Sequence, residues 1–270
     1  MKGNILIVND TRNYHGGCQQ IYLTLCYQLA EYDLTFTNEP IEDYTKFNAV
    51  VLNGEGTMHD NAPNALKYLN MLKEANKQGV RTLLINSVWQ NMDYDPSFIN
   101  YISVREVLSK EQMNIDVDVH LDMSYNLDVP YGDNINHHHL ITGNRHFNSP
   151  RLDLFKGYNE TDHADLFHEY WYNVVNKLRN ADIYVTGKQH EMYAACKARC
   201  KFVILEGNTH KNQGLIKTSG VNIPVLPFEA SKLAVQTMIK KIESGDFDDE
   251  YKKLFDFMDK YPKLNLRDKI

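Results

Sequence analysis

The amino-acid sequence predicts an α/β protein of two doubly wound, Rossmann-like domains that face a cleft. Short apolar strand patterns alternate with amphipathic helix patterns along nearly the whole chain, which is typical of parallel sheets with helical crossovers. The 270 residues are 43% hydrophobic and 24% charged, so the chain can bury a full core. Periodicity is weakest between Tyr125 and Thr161, and there we expect the junction between domains 1–132 and 133–270.

The first predicted domain alternates strands with two clear helices. Apolar residues at three/four spacing from Cys18 to Leu29 predict one helix. A second helix is predicted from about Pro63 to Gln78, with Gly79 as its stop. The predicted strands are Ile5–Val8, Leu34–Phe36, Ala49–Leu52, Thr82–Ile85, Ile102–Val104 and Val117–Leu121.

The second predicted domain repeats this alternation. One helix should point Phe167, Trp171, Val174 and Leu178 inward, and an alanine-rich helix should follow Gly187. We expect the basic stretch from Lys260 to Lys269 to form a solvated tail. The remaining predicted elements are strands at His139–Thr142, Ile183–Thr186, Phe202–Leu205 and Ile223–Leu226, and helices at about Ser231–Ser244 and Asp249–Lys260.

Composition excludes several classes of protein. No apolar run approaches the roughly 20 residues of a membrane span, and the N-terminus enters a strand pattern directly, without a signal peptide. The net charge of −6 gives no global attraction to nucleic acid. The four cysteines lack a Cys-x-x-Cys motif, so reduced thiols and a cytoplasmic location are expected.

Gly187-Lys188-Gln189-His190 is the most informative segment. It lies between a predicted strand and a predicted helix, where unpaired backbone N–H groups and the helix dipole favour an anion. Lys188 and His190 add a cation and an imidazole. The alternative is a surface turn with incidental polar residues.

Two further loops also follow predicted strands of the first domain. In Asn9–Gly17, the glycines Gly16 and Gly17 would let the backbone approach a ligand, and His15 could reach into the cleft. In Asn53–His59, Glu55 stands between Gly54 and Gly56 and could take a proton from an attacking hydroxyl. Alternatively, Glu55 caps the following helix.

A fourth polar loop, Leu205–Gly214, follows the strand after the Lys188 turn. Glu206 at the strand end could hold ribose hydroxyls, while Lys211, with Asn208 and His210, could meet phosphate. His137-His138-His139 does not predict a metal site, because three consecutive imidazoles cannot easily share one ion.

These loops, in this order, resemble the polysaccharide pyruvyl transferase family. The resemblance runs from Asn4 to about Val225, and Lys188 stands where members usually carry arginine. It implies a glycosyltransferase-B-like (GT-B-like) architecture and transfer of a small group onto a sugar hydroxyl. The segments that carry it are Asn4–Val8, Asn13–Gly17, Val51–His59, Ile102–Ser109, Ala181–His190 and Lys211.

The sequence-based hypothesis is therefore a metal-independent transferase without a cofactor. It would move a glycosyl or pyruvyl group from a nucleotide sugar or phosphoenolpyruvate onto a glycan hydroxyl. Glu55, His190, His15 and His59 are the predicted catalytic residues. The predicted donor- and phosphate-binding residues are Gly16, Gly17, Gly54, Gly56, Thr57, Gly187, Lys188, Glu206, Asn208, His210 and Lys211.

Two alternatives remain at this point. The acceptor could be a hydroxymethylated base in phage DNA, or the chain could be a non-catalytic module that binds a nucleotide or sugar. A DNA acceptor would need a basic rim and salt-sensitive binding. The candidates for that rim are Arg145, Arg151, Lys156, Lys188, Arg199 and Lys201.

Overall fold

A computed structural model describes residues 2–132, 136–143 and 161–270. The chain divides into two compact units. Unit 1 comprises Met1–Arg12, Ile21–Asn126 and Pro262–Ile270, and unit 2 comprises Asn13–Gln20 and Leu127–Tyr261. Two short segments therefore belong to a unit other than the one that their neighbours in sequence join.

Unit 1 is built around a six-stranded sheet in which the recorded strand pairs are all parallel. The strand order is β2-β1-β3-β4-β5-β6, so β2 lies on one side of β1, and β3 and the later strands lie on the other side. The strands are β1 Asn4–Val8, β2 Asp33–Thr37, β3 Ala49–Glu55, β4 Arg81–Ser87, β5 Tyr101–Val104 and β6 Asp118–Val119; the helices are α1 Gly16–Gln28, whose first turn lies in unit 2, α2 Pro63–Lys77 and α3 Val107–Glu111.

The core of unit 1 lies on both faces of this sheet, because alternate residues of each central strand point to opposite faces. Val50 and Leu52 of β3 pack with the apolar stripe of α2 in one cluster. Ala49 and Val51 belong to a second cluster, with Ile21 and Leu25 of α1. Such double burial explains why β3 reads as an unbroken apolar run before Asn53.

Unit 2 contains a five-stranded sheet, again with parallel recorded pairs, in the order β8-β7-β9-β10-β11. As in unit 1, the second strand in chain order, β8, lies on one side of the first, β7, and the third, β9, lies on the other side. The strands are β7 His138–Thr142, β8 Thr161–His163, β9 Ala181–Thr186, β10 Lys201–Leu205 and β11 Val225–Leu226; the helices are α4 Trp171–Leu178, α5 Gln189–Ala198, α6 Lys211–Ser219, α7 Lys232–Glu243 and α8 Asp248–Lys260.

The predicted α/β class with parallel sheets is confirmed, and several local predictions are wrong. Lys211–Gly214 was predicted as loop but forms the first turn of α6, whose later Gly214 weakened the helical pattern. Phe167 lies in a turn before α4 rather than in that helix. Helix α3 and strand β8 were not predicted, because each is only a few residues long.

The C-terminal stretch is not a solvated tail. Leu264 and Leu266 are buried in the α1-side core of unit 1, where Gln28 binds the backbone of both residues. The basic residues around them obscured these two leucines in the sequence. Residues 262–270 therefore complete the core of unit 1.

Across the three described ranges, every helix is too short or too polar to cross a bilayer.

Candidate active site

The predicted site residues fall into two groups, one in each unit. Unit 1 holds the five residues of the loop at the end of β3, which are Gly54, Glu55, Gly56, Thr57 and His59. Unit 2 holds the others, which are His15, Gly16, Gly17, Gly187, Lys188, His190, Glu206, Asn208, His210 and Lys211.

In unit 2, the loops after β9 and β10 are tied to each other at the carboxyl edge of the sheet. The buried Asn212 donates from Nδ2 to the carbonyl oxygens of Gly187 (3.2 Å) and Leu205 (2.8 Å). The Nε2 group of Gln189 donates to the carbonyl oxygen of Lys211 at 3.3 Å. The starts of α5 and α6 are therefore held side by side, as expected for the ends of adjacent parallel strands.

Glu206 directly follows β10 and is fixed by two donors. Its Oε1 accepts from Gln213 Nε2 at 3.0 Å, and its Oε2 accepts from the backbone N–H of Phe228 at 3.1 Å. A carboxylate offers about four acceptor positions, so capacity for further donors remains. The nearby Lys211 Nζ donates to Asn208 Oδ1 at 2.8 Å, and His210 precedes α6 without a side-chain cap bond.

Three buried polar atoms near the start of α6 lack a hydrogen-bond partner within the described part of the chain. They are Thr209 Oγ1, Asn212 Oδ1 and Gln213 Oε1. Native proteins leave few buried polar groups unsatisfied, so three within five residues require an explanation. Rearrangement around a polar ligand at this helix start would supply one.

Lys188, in the short turn between β9 and α5, has carboxylate partners. Its Nζ lies 3.3 Å from Asp165 Oδ1 and 3.8 Å from Glu191 Oε1, and 4.0 Å from the ring centre of Phe167. Asp165 is almost completely buried, and Glu191 is fully buried. The positive charge of Lys188 is therefore compensated inside unit 2.

Glu191 has a pKa above the ordinary value of a carboxyl group. Burial raises its pKa from 4.5 to about 7, although Lys188 and the hydroxyl of Thr186 act in the opposite direction. Thr186 donates to Glu191 Oε2. The group lies in the first turn of α5, beneath the Lys188 turn.

His15, Cys18 and His190 form a compact cluster in unit 2. His15 Nε2 lies 3.4 Å from His190 Nδ1 and 3.5 Å from Cys18 Sγ. The two imidazole rings meet edge to face, with centroids 4.9 Å apart. The structure thus brings together two residues that are 175 positions apart in sequence.

Gly16 and Gly17 permit this cluster by their lack of side chains. A Cβ atom on Gly17 would lie 2.6 Å from Cγ of His190, and one on Gly16 would lie 2.5 Å from the carbonyl oxygen of Glu169. Both contacts are far shorter than real Cβ contacts. These glycines are required for close approach to other parts of the protein, and their approach to a ligand stays a prediction.

In unit 1, Glu55 is the last residue of β3 and lies in a buried polar network. Its side chain is buried, since only 5% of the residue is exposed. Oε1 accepts from the hydroxyl of Thr11 and from Asn53 Nδ2 at 2.8 Å. The alternative that Glu55 caps the next helix is wrong, because α2 has Ala62 as its N-cap.

The network extends through amides at the ends of β1 and β4. Asn9 donates from Nδ2 to the carbonyl oxygen of Asn53 at 2.6 Å, and Asn86 donates to Asn53 Oδ1 at 3.2 Å. Asn9, Glu55 and Asn86 have φ angles of 68°, 45° and 53°. Left-handed backbone costs energy in residues other than glycine and concentrates at functional sites.

The rest of the Gly54–His59 loop is placed differently. Thr57 Oγ1 accepts from Asn9 Nδ2 at 3.3 Å and so joins the network, whereas His59 Nδ1 lies 2.9 Å from Asp60 Oδ2. A Cβ on Gly54 would lie 2.4 Å from Ser87 Oγ, so only glycine fits there. Gly56 is partly exposed.

Sequence reasoning missed Asp165, Thr11, Asn9 and Asn86. Asp165 carried no signal, because its contact with Lys188 spans 23 residues. For the two asparagines a signal was present, since each directly follows a predicted strand and asparagine tolerates the left-handed region better than most residues.

The candidate basic rim is mostly paired or lies outside the described residues. Arg145, Arg151 and Lys156 fall outside those residues. Lys188 pairs with Asp165, Arg199 with Asp259, and Lys201 with Asp248.

His137 and His139 both bind one carboxylate, Asp182. The two imidazoles each lie 3.1 Å from an oxygen of Asp182, and His139 Nε2 lies 3.1 Å from Glu243 Oε1. The hydrogen bond that His139 donates to Asp182 raises the pKa of His139. The cluster is solvent-exposed and lies at the amino ends of β7 and β9, away from the loops described above.

Comparison with known proteins identifies a fold. No family profile matches the sequence, and no curated protein sequence matches it significantly. A solved spinosyn forosaminyltransferase matches with a TM-score of 0.65 at 8% identity, over 100% of this chain and 98% of that one. The fold is GT-B-like.

Two epimerases share this fold. A putative UDP-N-acetylglucosamine 2-epimerase from Listeria monocytogenes has a TM-score of 0.57 at 9% identity, over 94% of this chain and 91% of that one. The Methanocaldococcus jannaschii UDP-GlcNAc 2-epimerase, solved with UDP-GlcNAc and UDP, has a TM-score of 0.53 at 11% identity, over 89% and 91%. None of these three matches shows the pyruvyl transferase family.

Proposed function

We propose that this GT-B-like chain is a glycosyltransferase that moves a sugar from a nucleotide-sugar donor onto a hydroxyl of a glycan. The observation that carries the proposal is the joined start of α5 and α6 in unit 2. Two helix N-termini, a fixed carboxylate and a lysine meet there at the carboxyl edge of a parallel sheet. Open α/β sheets bind ligands at this edge.

Each part of this edge suits one part of a nucleotide sugar. Glu206, already held by Gln213 and Phe228, would accept hydrogen bonds from the ribose hydroxyls. Lys211 and the backbone N–H groups at the start of α6 would bind the diphosphate. The epimerase solved with UDP-GlcNAc and UDP shares this fold, which supports the same donor class.

Phosphoenolpyruvate fits this edge less well. The pyruvyl transferase resemblance requires a cation at position 188 to meet a phosphate or carboxylate. Asp165 already faces the ammonium group of Lys188, so a small trianionic donor would meet the negative charge of this carboxylate as well. We therefore place the nucleotide sugar first and phosphoenolpyruvate second.

Glu55 would act as the general base of the reaction. It would take the proton of the acceptor hydroxyl while that oxygen forms a bond to the anomeric carbon of the donor. The bond from the anomeric carbon to the phosphate oxygen breaks, and the nucleoside diphosphate leaves with the electron pair. Thr11 and Asn53 fix the orientation of one carboxylate oxygen, and fixed geometry is a large part of such catalysis.

Donor binding provides the first experiment. Wild-type protein would be heated with UDP-, dTDP- and GDP-sugars and with phosphoenolpyruvate, because a ligand that binds only the folded state raises the melting temperature. We expect one nucleotide sugar to stabilise the protein. Lys211→Met should weaken its binding about tenfold, the effect of losing one charge-assisted contact.

Lys217→Met is the matched control, since Lys217 is exposed in the last turn of the same helix. Its donor affinity should equal that of the wild type. Stabilisation by phosphoenolpyruvate alone would replace glycosyl transfer with pyruvyl transfer. Donor binding without hydrolysis or transfer to any glycan would identify a binding module, and salt-sensitive transfer to hydroxymethylated DNA would identify the other acceptor.

A further inference from the structure

His15 caps the N-terminus of α1 with its imidazole. Its Nδ1 lies 3.2 Å from the backbone N–H of Cys18, and its carbonyl oxygen accepts from the N–H of Gln19 at 3.0 Å. The N–H of Cys18 is one of the donors that a helix start leaves without an intrahelical partner. Because this N–H can only donate, Nδ1 must accept, and in neutral His15 the proton therefore lies on Nε2.

The protonated Nε2 of His15 faces His190. The distance to His190 Nδ1 is 3.4 Å, and Cys18 Sγ lies 3.5 Å away as a weaker acceptor. Two N–H groups facing each other at this distance would repel, so His190 Nδ1 must be the unprotonated nitrogen. The proton of neutral His190 is therefore on its Nε2.

We infer that His15 is a positioning residue that fixes the tautomer of His190, so that His190 presents an Nε2–H donor. This inference rests on the proposed function for its purpose, which is donation to the oxygen of a departing phosphate. His190 is half-buried, in the first turn of α5. Gly17 packs against its ring, where even a Cβ would not fit, and so limits the ring's rotation.

The same three residues could instead be considered as ligands of a metal ion. One ligand atom from each of His15, Cys18 and His190 lies within 4.8 Å of the others. An imidazole that binds a metal through Nε2 carries its proton on Nδ1, usually donated to an acceptor. His15 Nδ1 faces the N–H of Cys18, so this arrangement favours the proton chain over a metal.

Two substitutions of His15 separate capping from tautomer control. His15→Asn keeps a polar atom near the position of Nδ1 and is a good N-cap, but has no group at the position of Nε2. His15→Gln places an amide near the position of Nε2. Cys18→Ala removes only the competing sulfur acceptor and is the control.

The first readout is histidine ¹⁵N NMR on the ligand-free protein at about pH 8.5, where imidazoles are ordinarily neutral. The signal of His190 is assigned by its loss in His190→Ala. We expect wild type, Cys18→Ala and His15→Gln to show His190 protonated on Nε2. In His15→Asn we expect a mixture of tautomers at an unchanged melting temperature.

The second readout is turnover with the nucleotide sugar. His15→Asn should lower kcat roughly 10- to 100-fold, with KM nearly unchanged, and His15→Gln should recover most of the loss. The inference is overturned if wild-type His190 carries its proton on Nδ1. It is also overturned if one Co²⁺ or Zn²⁺ ion binds the wild type and not His190→Ala. Because the NMR result needs no substrate, it holds or fails independently of the donor assignment.

Discussion

The two sheets share a strand order, but the residues at their carboxyl edges differ in chemistry. In unit 1, strands β1, β3 and β4 end in a buried network of amides around Glu55, with left-handed backbone at three of its residues. In unit 2, strands β9 and β10 end at helix starts that carry lysines and imidazoles. Topology therefore fixes where a site can form, and the loop residues decide its chemistry.

This contrast suits two different tasks. A rigid carboxylate among amides can orient and deprotonate a neutral hydroxyl, whereas helix N-termini and ammonium groups bind negative charge. The buried carboxylates below Lys188 limit the net charge of the unit 2 edge. Each of the following changes tests one side of the comparison.

The largest effect is expected from Glu55→Gln in unit 1. Glutamine keeps the size of the side chain and an oxygen that can accept from Thr11, but it cannot take a proton. Turnover should fall by about 10² to 10⁴, while the Kd of the nucleotide sugar stays within about twofold of the wild type. If turnover and donor binding fell together, Glu55 would belong to the donor site, and the division of tasks between the two units would be wrong.

A smaller effect, on stability, is expected from Glu191→Gln in unit 2. Because the folded-state pKa of Glu191, about 7, lies above its ordinary 4.5, the folded protein keeps a proton that the unfolded chain has released between these values. Wild-type stability should therefore decline as pH rises from about 5 to 7 and then level off. Glutamine removes this titration.

Urea unfolding at pH 5 and pH 8 measures the difference. Relative to wild type, Glu191→Gln should gain on the order of 2 kcal/mol between the two pH values. An identical pH dependence in both proteins would mean that Glu191 is already ionised in the folded state. The interior below the unit 2 edge would then carry a full negative charge.

The smallest effect is expected at the opposite edge of the unit 2 sheet, from His139→Asn. Since the hydrogen bond with Asp182 raises the pKa of His139, its contribution to stability is present at low pH and is lost as pH rises through that raised value. About half of the side chain is exposed, so only a few tenths of a kcal/mol are expected. Melting temperatures at pH 5.5 and 8.5 measure it, and a loss above about 1 kcal/mol would show that this cluster is structural.

The central strands and most helices were predictable because their patterns are local. Ile5–Val8 and Ala49–Leu52 are buried on both faces and are therefore continuous apolar runs. The turn between β9 and α5 was also predicted, since Gly187 separates a strand rich in β-branched residues from an alanine-rich helix. Contacts that join distant segments were not predictable in this way.

The candidate site shows the limit most clearly. Lys188 was singled out as a cation for phosphate, but the position of Asp165 depends on how the preceding chain folds against α5. The meeting of His15 with His190 likewise depends on residues 13–20 joining unit 2. A sequence shows which residues follow a strand, and the packing of the whole unit decides what they touch.

Residues 262–270 have a consequence for how the protein is made. They supply Leu264 and Leu266 to the core of unit 1, although the whole sequence of unit 2 precedes them. On the ribosome, unit 1 has an incomplete hydrophobic core until unit 2 and residues 262–270 have been synthesised. Completion of its core therefore follows the synthesis of unit 2, and until then chaperones have an exposed apolar surface to bind.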